Sequence, residues 1–163
     1  MELRRATPAD AALLAYWDTK PHVIAATGDD DVEDWERELP REVPWREYLI
    51  GEEDGRPIGF VAIIDAREEE SHYWGDAEPN LRAIDIWLGE EADLGQGYGS
   101  AMMRLAIEHC FADQDVTAIL IDPLTTNTGA QRFYARHGFS VVGPRRFGDD
   151  DCTVMRLGRP SPG

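Results

Sequence analysis

Lysine is almost missing from this chain. Of its sixteen basic residues only Lys20 is a lysine, and thirty-two acidic residues oppose them, for a formal net charge of −16. A surface this acidic repels the phosphates of nucleic acid, so no nucleic-acid partner is expected. Its field draws cations instead, a cationic small molecule or a basic peptide, unless the acidity serves solubility alone. The choice of arginine over lysine reads as a genomic bias. Cysteine is scarce as well: Cys110 and Cys152 lie far apart with no metal-ligand spacing, as ordinary thiols of a reducing compartment do. His22, His72, His109 and His137 show no paired spacing either, so no metal is expected. No apolar run is long enough for a membrane span, and Met1-Glu2-Leu3-Arg4-Arg5 lacks the apolar stretch of a signal peptide. A cytoplasmic protein with no membrane partner is the expectation. Repeats and low-complexity tracts are missing too, and 163 residues suffice for one domain with its own core.

What is present alternates between strand and helix patterns. Glu2 to Arg5 reads as a strand. Thr7-Pro8-Ala9-Asp10 opens a helix, with Thr7 as N-cap and Pro8 at its first position; Leu13, Leu14 and Trp17 form its apolar face, and Pro21 ends it. Lys20 to Trp45 is irregular, with an acidic run at Asp29-Asp30-Asp31 and a short helix around Val32 to Leu39, either a substrate wall or a connector. Trp45 to Ile50 and Pro57 to Ile64 flank Asp54-Gly55 as a hairpin. Arg67 to Asn80 is a polar loop whose Tyr73 and Trp74 pack on the core or line a pocket. Leu81 to Leu88 is nearly all apolar apart from Arg82 and Asp85, which fits a central strand covered on both faces. A helix follows from Tyr98 to Phe111, with Met102, Leu105, Ala106, His109 and Cys110 on its apolar face. Val116 to Ile121 is a strand stopped by Asp122-Pro123. Asn127 caps a helix through Arg136, and Gly138 follows its C-cap. Phe139 to Val142 and Thr153 to Leu157 close the domain around a turn at Gly148, and residues 158–163 read as a tail. The order β-α-(α)-β-β-β-α-β-α-β-β indicates one α/β domain.

The stretch Leu94-Gly95-Gln96-Gly97-Tyr98-Gly99-Ser100 runs from the end of a strand into a long helix. Alternate glycines permit a tight turn with no side chain in the way. The helix start behind it offers unpaired N–H groups and the positive end of a dipole, which together suit an anion, phosphate above all. A P-loop would need Lys after the last glycine, and Gly99-Ser100-Ala101 has none. A dinucleotide fold wants its glycines earlier and differently spaced.

Together with Asn127, Ala130, Tyr134 and Gly138-Phe139, the glycine turn resembles the pyrophosphate motif and the following motif of the GNAT superfamily of N-acetyltransferases. The resemblance covers about half of the chain, from Leu81 to Leu157. The first turn position is Leu94 where Gln or Arg is usual, and Ala83-Ile84-Asp85 with Ile121-Asp122-Pro123 is similar to the aminoglycoside 6'-N-acetyltransferase branch. The resemblance implies a GNAT-like α/β fold, a mixed central sheet splayed into a V with flanking helices. It implies acetyl-CoA as co-substrate, with the pyrophosphate on the amides of Gly95 to Ser100, the pantetheine arm along Ile86, Trp87 and Leu88, and Asn127 and Ala130 beside it.

Amine acetylation needs a neutral amine, a donor for the developing oxyanion and an acid for the leaving thiolate. Asp85, a charge in an apolar strand, is the candidate base or amine anchor, against a structural ion pair with Arg82. Asp122 would orient a cationic amine in the same groove, unless it only caps the turn before Pro123; Trp74 is the aromatic candidate for the acceptor wall. The Leu88 N–H is the candidate oxyanion donor, and the motif places Tyr134 as the acid, where the plainer reading is a core aromatic beside Phe133. No Ser or Cys nucleophile motif is visible, so direct transfer in a ternary complex is expected. The acceptor is expected to be a cationic amine, an aminoglycoside in the first reading, with siderophore precursors, polyamines and peptide amines, or a non-catalytic binding role, as alternatives. Monomer and homodimer are both open.

Overall fold

In the computed structural model, residues 1–27 and 33–160 are described. Seven strands form one sheet in the order β1-β2-β3-β4-β5-β7-β6. They are β1 (Glu2–Arg5), β2 (Arg46–Glu53), β3 (Arg56–Asp65), β4 (Leu81–Leu88), β5 (Ala118–Ile121), β6 (Ser140–Phe147) and β7 (Asp150–Gly158). Every neighbouring pair is antiparallel except β4 and β5. The β2–β3 hairpin turns on Asp54 and Gly55 with φ of 51° and 79°, the two positive values a two-residue type I′ turn requires. β4 is the fourth of seven strands, as its apolar run suggested.

The parallel pairing of β4 with β5 covers only Leu81, Ala83 and Arg82 between them, while β4 continues to Leu88 on β3 alone. The sheet opens there as the expected V. Helices cover both faces. On one, α4 (Tyr98–Ala112) lays Met102, Met103, Ala106 and Cys110 against Val61, Ile63 and Ile84, with Phe139 and Met155 completing that core. On the other, α1 (Ala11–Trp17) and α3 (Trp35–Glu38) bring Leu14, Trp17 and Trp35 onto Ile50, Phe60 and Ala62. β3 is buried on both faces, which is why its sequence is apolar without alternation. A third cluster, with Trp74, Phe147, Cys152 and Val154, seats the 66–80 loop on the β6–β7 end.

Several local expectations change. Pro21 does not end a helix: α1 stops at Trp17, and Pro21 opens α2 (Pro21–Thr27), where a first-turn proline lacks only an N–H that has no helical partner anyway. The run Asp29-Asp30-Asp31 and Val32 lie outside the described residues, and of the helix expected around Val32 to Leu39 the described part is the single turn of α3. His109 is exposed and contacts Glu47 at 2.9 Å; the apolar face of α4 turns through Met103 instead. β6 and β7 are longer than expected. Gly158 ends β7, and Arg159 is tied by its guanidinium to the carbonyls of Phe111, Asp113 and Val116, so the chain is held past the point where the tail was placed. α5 (Thr128–Arg136) follows the capping expectation: Asn127 Oδ1 accepts from the Ala130 N–H at 3.1 Å. Its end closes with Gly138 N–H to Ala135 O and Phe139 N–H to Tyr134 O, a Schellman pair.

Candidate active site

The open edge of β4 has a definite polarity. Gly89 N–H donates to Ile58 O at 3.0 Å, and the β3–β4 register is unbroken. In an antiparallel ladder alternate residues turn both backbone groups to the partner strand. Odd residues of β4 therefore face β3, and Ile86 and Leu88 turn theirs toward the V. Asn80 O, which accepts from Thr117 N–H, and Leu81 O, which accepts from Ala66 N–H, follow the same alternation. Leu88 N–H, the expected oxyanion donor, thus has a counterpart in Ile86 N–H, one residue from Asp85.

Beyond Leu88 the chain passes Gly89 and a turn of 3-10 helix at Glu91–Asp93 into the glycine turn. Asp93 is buried and fixes the base of that turn by a two-pronged pair with Arg56, at 3.0 and 3.1 Å. Gly95 and Gly97 have φ of 73° and 85°, and no atom lies within 4 Å of where a Cβ would project. Only glycine adopts both conformations without strain. Leu94, Gly95, Gln96 and Gly97 are exposed at the start of α4. The far wall comes from α5, whose Phe133 ring packs over Gly99 and whose His137 Nε2 meets Ser100 Oγ at 3.3 Å. A bare backbone with N–H groups at a helix start fits a pyrophosphate.

Next to this edge lies a cavity of about 460 Å³. Asp85, Ile86, Trp87, Trp74, Asp122, Asn127, Ala130 and Tyr134 all line it. Leu88 and the stretch Leu94 to Ser100 do not line it; they prolong its β4 wall. Asp85 is exposed to the cavity rather than sealed in the sheet, because β5 has already diverged at that level. Its alternative partner is engaged elsewhere: Arg82 pairs with Asp65 and Asp113. Among the described residues, eight carboxylates and two arginines line the cavity. Both arginines, Arg41 and Arg46, are bound to Glu38 at 2.9 Å, so the balance left for a ligand is strongly negative.

Three phenols surround the Asp85 carboxylate. Burial, and then the charges of Asp85 and Asp122, push the Tyr134 phenol well above the ordinary tyrosine range. Tyr48 is raised by burial and by nearby carboxylates, Asp85 among them. Tyr73 is raised by burial and by Asp122, to which its hydroxyl donates a short hydrogen bond. Asp122 therefore does more than terminate β5. The Tyr73 ring stacks flat on Phe147, with centroids 4.3 Å apart, and Trp74 stands edge-on to both. Trp74 is mostly buried, so it forms the floor of this wall more than its surface. Tyr48 and Phe147 are not among the expected site residues; Tyr73, expected either to pack on the core or to line a pocket, does line the cavity. Among the described residues no group of three or more His, Cys, Asp or Glu is arranged to hold a metal, and no helix is long and apolar enough to cross a membrane.

Comparison with known proteins agrees with this geometry. The acetyltransferase (GNAT) domain model matches residues 6–147. The chain is 30% identical over 161 residues to the aminoglycoside N(6')-acetyltransferase type 1 of Klebsiella pneumoniae, covering 94% of this chain and 80% of that one. It is 26% identical over 169 residues to the lysine N-acyltransferase MbtK of Mycobacterium tuberculosis, covering 95% and 73%. The solved structure of the aminoglycoside acetyltransferase AAC(6')-Ib with coenzyme A and kanamycin superposes with a TM-score of 0.85 at 28% identity, over 96% of this chain and 94% of that one. Fold, glycine turn, splayed strand edge and family match converge: the chain belongs to the GNAT family of acetyl-CoA-dependent acetyltransferases.

Proposed function

We propose that this enzyme acetylates a primary amine of a polycationic small molecule, an aminoglycoside at its 6'-amine, by direct transfer in a ternary complex. The observation that carries the reading is the acidic cavity with Asp85 and Asp122 on its walls, open to the splayed edge of β4. The relative that binds kanamycin, at 28% identity, points to the same substrate class. An aminoglycoside brings several ammonium groups, which matches a cavity where carboxylates outnumber cations.

Asp85 anchors the ammonium and takes its proton, directly or through water, so that the nitrogen lone pair can attack the thioester carbonyl. Of the two backbone donors on the open edge, Ile86 N–H is nearer Asp85 and takes the developing oxyanion, leaving Leu88 N–H for an amide of the pantetheine arm. A donor of this kind is typically worth about 3 kcal/mol of transition-state stabilisation. As the carbon–sulfur bond breaks, Tyr134 gives its phenolic proton to the thiolate, and the extra proton of the attacking nitrogen returns to the phenolate, directly or through water, as the amide forms. The raised pKa of Tyr134 makes it a poor acid in the empty site. An ammonium between Asp85 and Asp122 offsets the carboxylate charges that raise it, so the acid strengthens when substrate is in place. Gly95 to Ser100 hold the pyrophosphate, and Asn127, its Oδ1 spent on the Ala130 cap, offers its amide N–H to the pantetheine.

A lysine-type acceptor is the second reading, favoured by the 26% identical lysine N-acyltransferase. A thiol-release assay with acetyl-CoA over kanamycin and other aminoglycosides, spermidine, hydroxylysine, lysine and a basic peptide separates them. Turnover with a 6'-amino aminoglycoside and loss on its 6'-hydroxy analogue is the expected result. Absence of thiol release with every amine, while acetyl-CoA still binds tightly, overturns the proposal.

A further inference from the structure

The end of β4 gathers buried polar atoms that lack partners. Among the described residues, three buried side-chain nitrogens have no hydrogen-bond partner: Trp17 Nε1, His22 Nδ1 and Trp87 Nε1. All three belong to residues that meet the segment Trp87-Leu88-Gly89. Trp87 is part of it. Trp17, from α1, presses so closely on Gly89 that a Cβ there would lie 2.0 Å from the indole ring. His22, in the first turn of α2, places Nε2 2.9 Å from Leu88 O. A carbonyl only accepts, so Nε2 carries the proton and donates, and Nδ1 is the nitrogen left over. Buried polar groups are nearly always paired, and exceptions gathered in one place call for a functional reason.

The turn between these two helices grips the next residue too, since Lys20 Nζ pairs with Glu90 at 3.2 Å. Trp17, Lys20 and His22 thus hold Gly89, Glu90 and Leu88, the three residues that join the strand edge to the glycine turn. An edge without a neighbouring strand is free to twist or bulge. Beyond Ala83, β4 is such an edge, with β3 on one side only.

We infer that His22 is a positioning residue for acetyl transfer: by donating to Leu88 O it locks the open edge of β4 in the register that receives the pantetheine arm. The bond takes up one of the two acceptor positions of Leu88 O, which leaves Ile86 O and Leu88 N–H as the main groups that set the arm's position, with Ile86 N–H kept for the oxyanion. The span from thioester to pyrophosphate is then fixed by the clamp at residues 88–90. This inference rests on the acetyl-CoA chemistry proposed above, and His22 touches neither reacting group itself.

The test compares His22→Leu, which has no donor, with His22→Gln, whose amide N–H reaches the place of Nε2. For H22L the Kd of acetyl-CoA by calorimetry and its KM should both rise about tenfold, the factor corresponding to about 1.4 kcal/mol, with the KM of the amine unchanged. H22Q should recover most of that loss, and the two variants should unfold at the same temperature. If H22L does not fold, His22→Asn, too short to reach Leu88 O, takes its place. Wild-type affinity in H22L, or equal impairment in H22L and H22Q, overturns the inference while leaving the acetyltransferase reading intact. Failure of the wild-type protein to bind acetyl-CoA overturns both.

Discussion

In the proposed reaction the donor side and the acceptor side of the site are built from different materials. On the donor side the recognising groups are backbone amides, supplied by one strand edge, one glycine turn and one helix start within Asp85 to Ser100. On the acceptor side they are side chains brought from the α1–α3 region, the 66–80 loop, β4, the end of β5 and the β6–β7 hairpin. The donor side holds one fixed molecule, and backbone geometry suffices for it. Under the proposed function the acceptor side has to fit a particular arrangement of amines, and side chains from separate elements can vary one at a time. The division predicts that variants on one side leave the other's binding untouched.

The largest effect falls where the two sides meet. Asp85→Asn keeps the shape of the cavity but cannot accept the ammonium proton. Turnover should fall by about 10²- to 10⁴-fold, the range for a lost general base, with the Kd of acetyl-CoA unchanged in calorimetry. A matching loss of acetyl-CoA affinity would blur the division. On the donor side, Gly97→Ala forces a Cβ into a backbone with φ of 85° although space is open. The left-handed conformation costs a non-glycine residue about 1–2 kcal/mol, so either stability drops by that amount or the turn shifts. The KM of acetyl-CoA should rise by about tenfold and the KM of the amine should hold. On the acceptor side, Tyr73→Phe removes the donor to Asp122 but keeps the stack on Phe147. One hydrogen bond to a charged group is worth about 1.5–3 kcal/mol when lost outright, but solvent reaches this half-exposed pair and reduces the effect. The KM of the amine should change a few-fold and acetyl-CoA binding not at all. An acetyl-CoA effect from Tyr73 would show that the 66–80 loop belongs to both sides.

The division also explains what the sequence made legible. Gly95, Gly97 and Asn127 act through their own or adjacent backbone, so their spacing along the chain is their geometry, and the turn, the cap and Gly138 stand where local chemistry puts them. Asp85 was legible as an anomaly, a charge in an apolar strand, but its exposure follows from β5 diverging after Leu120, a property of the sheet. Tyr73 and Asp122 are 49 residues apart, and His22 and Leu88 are 66 apart. No local pattern joins such pairs. The alternative of an Arg82–Asp85 ion pair is excluded by geometry that is itself legible: residues three apart on a strand point to opposite faces. The actual partners of Arg82, Asp65 and Asp113, come from a neighbouring strand and the end of α4 and are not legible. Pro21 failed differently, since proline both ends helices and begins them, and only the chain beyond it decides.

The smallest expected effect tests whether the donor side senses its ligand through charge. Burial, then Arg104 and Arg136, lowers the pKa of His137, whose Nε2 meets Ser100 at the start of α4. In the unfolded chain a histidine titrates at about 6.5. As pH falls below that value the unfolded state binds a proton that the folded state still refuses, so stability is full above about 6.5 and is lost as pH drops toward the lowered folded value. Denaturant unfolding should show a modest loss of stability between pH 7 and pH 5, and His137→Asn should flatten it. Acetyl-CoA should flatten it too: its phosphates at Gly95 to Ser100 offset the arginine field that disfavours imidazolium, raising the folded pKa toward the unfolded one. By linkage, acetyl-CoA then binds more tightly at pH 5 than at pH 7 in the wild-type protein, and His137→Asn removes that difference. A pH dependence that survives in His137→Asn would assign it to another group. An amine substrate, bound against Asp85 and Asp122 on the other side of β4, should leave the His137 contribution where it was.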